Sequence, residues 1–197
     1  LKPESLAEDR DLYWGIAKPL AAGDGFVHPE LRHPTAYRPP LYPMMLAMII
    51  LVGGGSKTLA AVQIGLSVTT VWMTWRLAHK LGLKSNALLA ATFVALNPLL
   101  IQATALAMTE TLCAVLLVAV LWGVAGIGDA KCRWPLGILI GLAVLCRPTV
   151  WAFVTLTSAV FAVCCFGRNS TGKRWELAEI AHGGLPIIVA FGLTVAP

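Results

Sequence analysis

The stretch WPLGILIGLAVLCRPTVWAFVTLTSAVFAVCCF, residues 134–166, decides how this chain is read. Its 33 residues carry one charged side chain, Arg147, followed directly by Pro148. A helix that crosses a bilayer needs about 20 apolar residues, so the run is too long for one crossing. Pro148 removes a helical donor and breaks the helix near the middle. The stretch therefore reads as a hairpin of two helices turning at Arg147-Pro148. Its first arm is short, which leaves a re-entrant loop as the alternative.

Further apolar runs flank it: Leu59–Ala78, Ala87–Met108 and Thr111–Ile127 before, and Leu177–Ala196 after. The whole chain is 57% hydrophobic and only 13% charged, with a mean hydropathy of +0.75. Soluble domains carry about 25% charged residues. The expected fold class is an all-α polytopic membrane protein, because a bilayer forces every spanning backbone group into internal hydrogen bonds. The net charge of +5 needs no nucleic acid to explain it, since most of the basic residues sit in short loops between apolar runs. The five cysteines have no Cys-x-x-Cys spacing, and four of them lie in or beside apolar runs, where small buried hydrophobes are the default.

Loop charges set the orientation. Arg76, Lys80 and Lys84 follow one run, Lys131 and Arg133 another, and Arg168, Lys173 and Arg174 a third. Basic loops stay in the cytoplasm. All three lie inside only if 134–166 crosses twice and Leu41–Val52 does not cross. That last segment is too short to span and reads as an interfacial helix. The expected organisation is an external, periplasmic cap over residues 1–57 with short amphipathic or interfacial helices, then a bundle of about six spans over 58–197. With Leu1 in place of Met and an apolar run reaching Pro197, the chain reads as a fragment. In the cap, residues 11–20 predict a short amphipathic helix ending near Gly23, and the prolines at 29, 34, 39 and 40 predict ordered loop beyond it.

With that topology the cap, Glu110 and Arg147 face the outer side. Asp9 and Asp11 precede Tyr13 and could supply a carboxylate base for an acceptor hydroxyl; the plainer reading is an N-cap and first-turn acids. Arg38 precedes Pro39-Pro40 and has the planar fork that suits a phosphate; the plainer reading is an Arg snorkelling to ordinary headgroups. Glu110 stands between two apolar runs and Arg147 between two arms, so each needs a partner supplied in three dimensions or an anionic substrate. For Glu110 the plainer reading is a first-turn acid on the helix dipole, and for the two together a structural ion pair. His28 and His33 lack a metal-ligand context. The run Gly53-Gly54-Gly55-Ser56-Lys57-Thr58 lacks the spacing and the preceding strand of a phosphate loop.

Taken in order, several motifs resemble those of the membrane glycosyltransferases with the GT-C fold: Asp9-Arg10-Asp11-Leu12-Tyr13, Ala22-Gly23-Asp24-Gly25-Phe26, Arg38-Pro39-Pro40-Leu41-Tyr42-Pro43, Leu96-Asn97-Pro98, Thr109-Glu110-Thr111, and Gly141 to Pro148. The set is most similar to the dolichyl-phosphate-mannose-protein mannosyltransferase-like family, in the bacterial branch that includes the lipid A aminoarabinose transferase and lipopolysaccharide core sugar transferases. The resemblance implies a GT-C helix bundle in the inner membrane with its site facing the periplasm or exterior. It implies inverting transfer of a hexose or pentose from a polyprenyl-phosphate donor to a lipid, glycan or protein acceptor. Membrane lipids are the other expected partners. Asp9 matches the catalytic or metal-associated acid of the family's motif, with Arg10 where Glu is usual. Arg38 matches the basic residue that faces the lipid phosphate, and Tyr13, Asp11, Glu110 and Arg147 are the further substrate-binding candidates. No cofactor is fixed by this, and a divalent cation stays open. A transporter or lipid-linked sugar flippase is the alternative, though a transporter is expected to place its ionisable residues near the midplane beside broken helices. A non-catalytic scaffold would need no such cluster of charges facing one compartment.

Overall fold

A computed structural model describes residues 11–31, 33–35, 38–126, 131, 133–155 and 187–195. Every regular element among them is helical, with one isolated bridge between Val27 and Pro34. The chain divides into two compact units, Leu1–Ala119 and Val120–Pro197.

In the first unit, α1 (Tyr13–Ala22) follows a left-handed Leu12 at φ 62°, the only positive-φ non-glycine described. That conformation costs an ordinary L-residue about 1–2 kcal/mol and turns Asp11 back from the helix start. The helix stops at Gly23, φ 91°, where the Gly23 and Asp24 amides bond the Leu20 and Pro19 carbonyls, a left-handed cap that glycine adopts without a Cβ clash. The expected end of the cap helix is thus met. Tyr13, Ile16 and Ala17 are buried at i, i+3, i+4 spacing, one face of a helix. That face packs on α2 (Leu41–Leu51), whose Tyr42, Leu46, Ala47 and Ile49 are buried with Leu59 and Ala107 in the core of the unit.

α2 has 11 residues and is about 16 Å long, roughly half the hydrocarbon thickness of a bilayer. The glycine triplet that superficially suggested a phosphate loop is the turn into α3 (Ser56–Lys80). Gly53 sits at φ 74°, and a Cβ on Gly54 would lie 2.9 Å from the Ile49 carbonyl. α3 is 25 residues long but carries many hydroxyls. Thr69, Thr70 and Thr74 each donate to the carbonyl four residues back, which satisfies them inside their own helix.

The run Ala87–Met108, read as one stretch, is two helices: α4 (Ala87–Ala95) and α5 (Pro98–Thr104). Asn97 accepts from the amides of Leu99 and Leu100, and Pro98 takes the first helical position, where its missing donor is orphaned anyway. The segments 84–95 and 98–104 bend by 53°. Residues 105–109 then turn into α6 (Glu110–Val124), with the Thr109 carbonyl accepting from Cys113.

In the second unit, α7 (Arg133–Cys146) ends where Arg147-Pro148 interrupts it, and helical residues resume at 150–155. The break lies where the sequence placed it; the second arm of the expected hairpin falls mostly at 156–166, outside the described residues. α7 presents Gly137 and Gly141 to helical residues 187–195. A Cβ on Gly137 would collide with the Ile187 carbonyl, and one on Gly141 would lie 2.6 Å from Thr194 Cβ. Small residues four apart let two backbones approach, a packing favoured between helices that gain nothing by leaving lipid.

Among the described residues no single helix is long and apolar enough to cross a membrane; the bent pair 84–95 with 98–104 passes by length and composition, and α2, α6 and α7 are shorter apolar helices.

Candidate functional site

The structure brings four of the six sequence-derived residues together in the first unit. Arg38 reaches back across 27 residues: its Nη2 donates to Asp11 Oδ1 at 2.7 Å and its Nε donates to the Asp11 carbonyl at 3.1 Å. Both side chains are partly open, 26% and 32% exposed. Left-handed Leu12 presents the Asp11 carbonyl and carboxylate on the same side, so one guanidinium reads both. The Arg38 guanidinium carbon also sits 5.2 Å from the centre of the Tyr13 ring, within cation–π range.

Tyr13 is 5% exposed and meets Tyr42 edge-on, with ring centres 4.9 Å apart at 73°. Its phenol hydrogen-bonds Thr109 and lies within electrostatic reach of Glu110. Burial pushes the Tyr13 pKa up, and the negative charges of Asp11 and Glu110 push the same way; the Arg38 charge and the Thr109 hydrogen bond oppose them. The phenol is therefore neutral at physiological pH, able to donate as well as accept. Glu110 opens α6 as its first-turn acid, half-buried, favourably placed on the helix dipole.

Asp9 lies outside the described residues. Arg147 belongs to the second unit, half-buried after the end of α7, where its amide donates to the Ala143 carbonyl. His28 spends Nδ1 on the amides of Glu30 and Leu31, a turn-closing role. Among the described residues no three His, Cys, Asp or Glu side chains are placed to hold a metal ion.

Two contributors went unseen in the sequence. Tyr42 is fully buried, and its hydroxyl accepts from Gln63 Nε2 at 3.1 Å. Gln63, itself 0% exposed, also donates to the Leu106 carbonyl at 2.7 Å. The available signal was an amide inside an otherwise apolar run, which needs partners wherever it is buried.

Beside this cluster, α3, α4, α5 and the start of α6 line a half-open cavity of about 610 Å³. Val71, Trp72, Trp75, Leu88 and Ile101 make it almost wholly apolar, and Thr111, next to Glu110, closes one part of its wall. Thr111 is 2% exposed and its hydroxyl has no hydrogen-bond partner among the described residues. The volume is that of an ordinary ligand pocket, and the lining suits a hydrocarbon chain. Cation, carboxylates, phenol and apolar cavity thus stand side by side on elements of one unit.

The family model of the dolichyl-phosphate-mannose-protein mannosyltransferases matches residues 37–192. The match takes in Arg38, Gln63, Glu110 and Arg147 and begins after Asp9, Asp11 and Tyr13. No curated protein and no solved structure matches the chain.

Proposed function

The chain belongs to the dolichyl-phosphate-mannose-protein mannosyltransferase family, and on that premise we propose that it moves a hexose or pentose from a polyprenyl-phosphate donor to a lipid, glycan or protein acceptor at the outer face of the plasma membrane. Members of this family are membrane proteins and glycosyltransferases that use polyprenyl-phosphate sugar donors in general. The observation that carries the finer reading is the meeting of Arg38, Asp11, Tyr13 and the Glu110 end of α6 beside an apolar cavity.

A lipid-linked donor has two chemically opposite ends. Its isoprenoid chain suits the cavity between α3, α4 and α5, where burial in place of water contributes about 25 cal/mol per Å². Its phosphate suits Arg38, which exchanges its contact with Asp11 for a phosphate oxygen. In the transfer step the acceptor oxygen attacks the anomeric carbon and forms the new glycosidic bond. The bond from that carbon to the phosphate oxygen breaks, and polyprenyl phosphate leaves with the electron pair. Arg38 stabilises the charge gathering on that phosphate. The acceptor proton passes to a carboxylate, for which Asp9 is our first candidate and Glu110 the next. Asp11 serves Arg38, and Tyr13 supports Arg38 through its ring and Thr109 through its neutral hydroxyl.

We place the three basic loops in the cytoplasm and residues 1–57 outside, with α2 lying along the membrane surface.

The test is sugar transfer from a polyprenyl-phosphate sugar in membranes carrying the full-length protein. Asp9→Asn should lower turnover by about 10²–10⁴ and leave the donor KM largely intact. Near-normal turnover would remove Asp9 from the mechanism, and no transfer from any such donor by the wild-type protein would remove the function.

A further inference from the structure

Gln63 is a buried polar group of the first unit that the transfer scheme does not use. It lies near the middle of α3, wholly buried, and its amide nitrogen bridges two elements remote in sequence: Tyr42 of α2, 21 residues back, and Leu106 in the turn before α6, 43 residues on. Its oxygen has no hydrogen-bond partner among the described residues. A side chain of similar size without polar atoms would fill the same volume and avoid leaving a polar atom unsatisfied. What the amide supplies is its two donors, and each ends beside the site. Tyr42 carries the edge-on contact to Tyr13, on which Arg38 rests. Leu106 is three residues before Thr109, which bonds the Tyr13 phenol, and four before Glu110.

We propose that Gln63 is a positioning residue for sugar transfer: its amide ties the 105–109 turn to Tyr42 and so fixes Thr109 and Glu110 against the Tyr13–Arg38–Asp11 cluster. This rests on the reading of that cluster as the transfer site. The turn is also held by the Thr109–Tyr13 hydrogen bond and by Ala107 in the core of the unit, and Ser67 of α3 bonds Thr104 just before it. Within it the Ala105, Leu106 and Met108 amides bond to carbonyls two or three residues away, bonds that shape the turn locally. The bond from Gln63 to Leu106 ties the backbone of the turn itself to α3, in a low-dielectric interior where a hydrogen bond holds its geometry strongly.

The experiment compares wild type, Gln63→Leu and Tyr42→Phe in the full-length membrane protein with two readouts. The first is steady-state transfer from a polyprenyl-phosphate sugar. A displacement of about 1 Å at a reacting group costs about 100-fold, so Gln63→Leu should lower kcat by about 10- to 100-fold with the donor KM within about threefold. Tyr42→Phe keeps the Leu106 anchor and should lower kcat less. The second readout needs no activity: carbodiimide labelling of carboxylates, quantified by mass spectrometry. Glu110 should label several times faster in Gln63→Leu, with exposed Asp24 unchanged as the internal reference. Wild-type kcat in Gln63→Leu, or an unchanged Glu110 labelling rate, overturns the proposal. If Gln63→Leu does not accumulate, Gln63→Asn takes its place under the same criteria, since it keeps the amide but is one methylene too short to reach both partners. A wild-type protein that transfers nothing would refute the function while the labelling still decides whether Gln63 holds the turn.

Discussion

Replacing Arg38 by alanine separates two roles that differ in size. As a structural element, Arg38 contributes an ion pair to the Asp11 carboxylate, a hydrogen bond to the Asp11 carbonyl and a ring contact to Tyr13. The pair is 26% and 32% exposed, and partly exposed pairs are worth at most about 1 kcal/mol. The contact at 5.2 Å adds about 0.5–1 kcal/mol. With about 1 kcal/mol more for the hydrogen bond to the Asp11 carbonyl, stability should fall by no more than about 3 kcal/mol. As a phosphate ligand, the same side chain makes charge-assisted hydrogen bonds worth about 1.5–3 kcal/mol, which is about 10- to 100-fold in donor affinity. The expected outcome of Arg38→Ala is a folded protein with a slightly lower midpoint in a detergent thermal melt and a donor KM raised about 10- to 100-fold. Arg38→Lys should recover part of the loss, because the charge returns without the bidentate fork. A donor KM within twofold of wild type for Arg38→Ala, in protein shown to be folded, would refute the assignment of the phosphate to Arg38.

Asp11→Asn keeps an acceptor oxygen for Arg38 but removes the charge that competes with phosphate, so the donor KM should fall severalfold; a rise would make Asp11 part of the donor site itself. Gly141→Leu should cost about 1–3 kcal/mol or more by overpacking against Thr194, whereas Gly192→Ala, with open space around it, should be neutral or stabilising by up to about 1 kcal/mol; matched thermal melts distinguish them. Asn97→Ala removes the cap at the bend and should cost about 1 kcal/mol, read as faster amide exchange over 98–104. Tyr13 has a pKa raised above 10.0 by burial, so its neutral form is favoured in the fold. Its contribution is complete below pH 10.0 and lost as pH rises through the folded value, because the unfolded chain releases the proton first. Tyr13→Phe should flatten that alkaline loss of stability in a pH series of thermal melts.

The helical, apolar character of the chain, the end of α1 at Gly23 and the interruption at Arg147-Pro148 follow from residues acting on their own neighbourhood: composition, a left-handed glycine, a proline without a donor. The same local logic would have broken Ala87–Met108 at Asn97-Pro98, had the cap and the proline been weighed against the apolar count around them. Glu110 could be named as a candidate because it stands between apolar runs, Asp11 and Arg38 because of their charge beside Tyr13 and Pro39-Pro40, and Tyr13 because its motif resembles the family's. Which of them meet could not be read that way. Arg38 finds Asp11 across 27 residues and Gln63 finds Leu106 across 43; no periodicity encodes a partner at such distances, and only the packing of α1 on α2 and the path of the 105–109 turn bring them within hydrogen-bond range. The seam at Gly137 and Gly141 was equally silent, since a glycine in a helix signals a close approach only when the backbone that approaches is in place. Local chemistry chose the elements and the candidate residues; tertiary packing chose their partners, because a hydrogen bond is decided by a distance between atoms and the chain sequence fixes such distances only over a few residues.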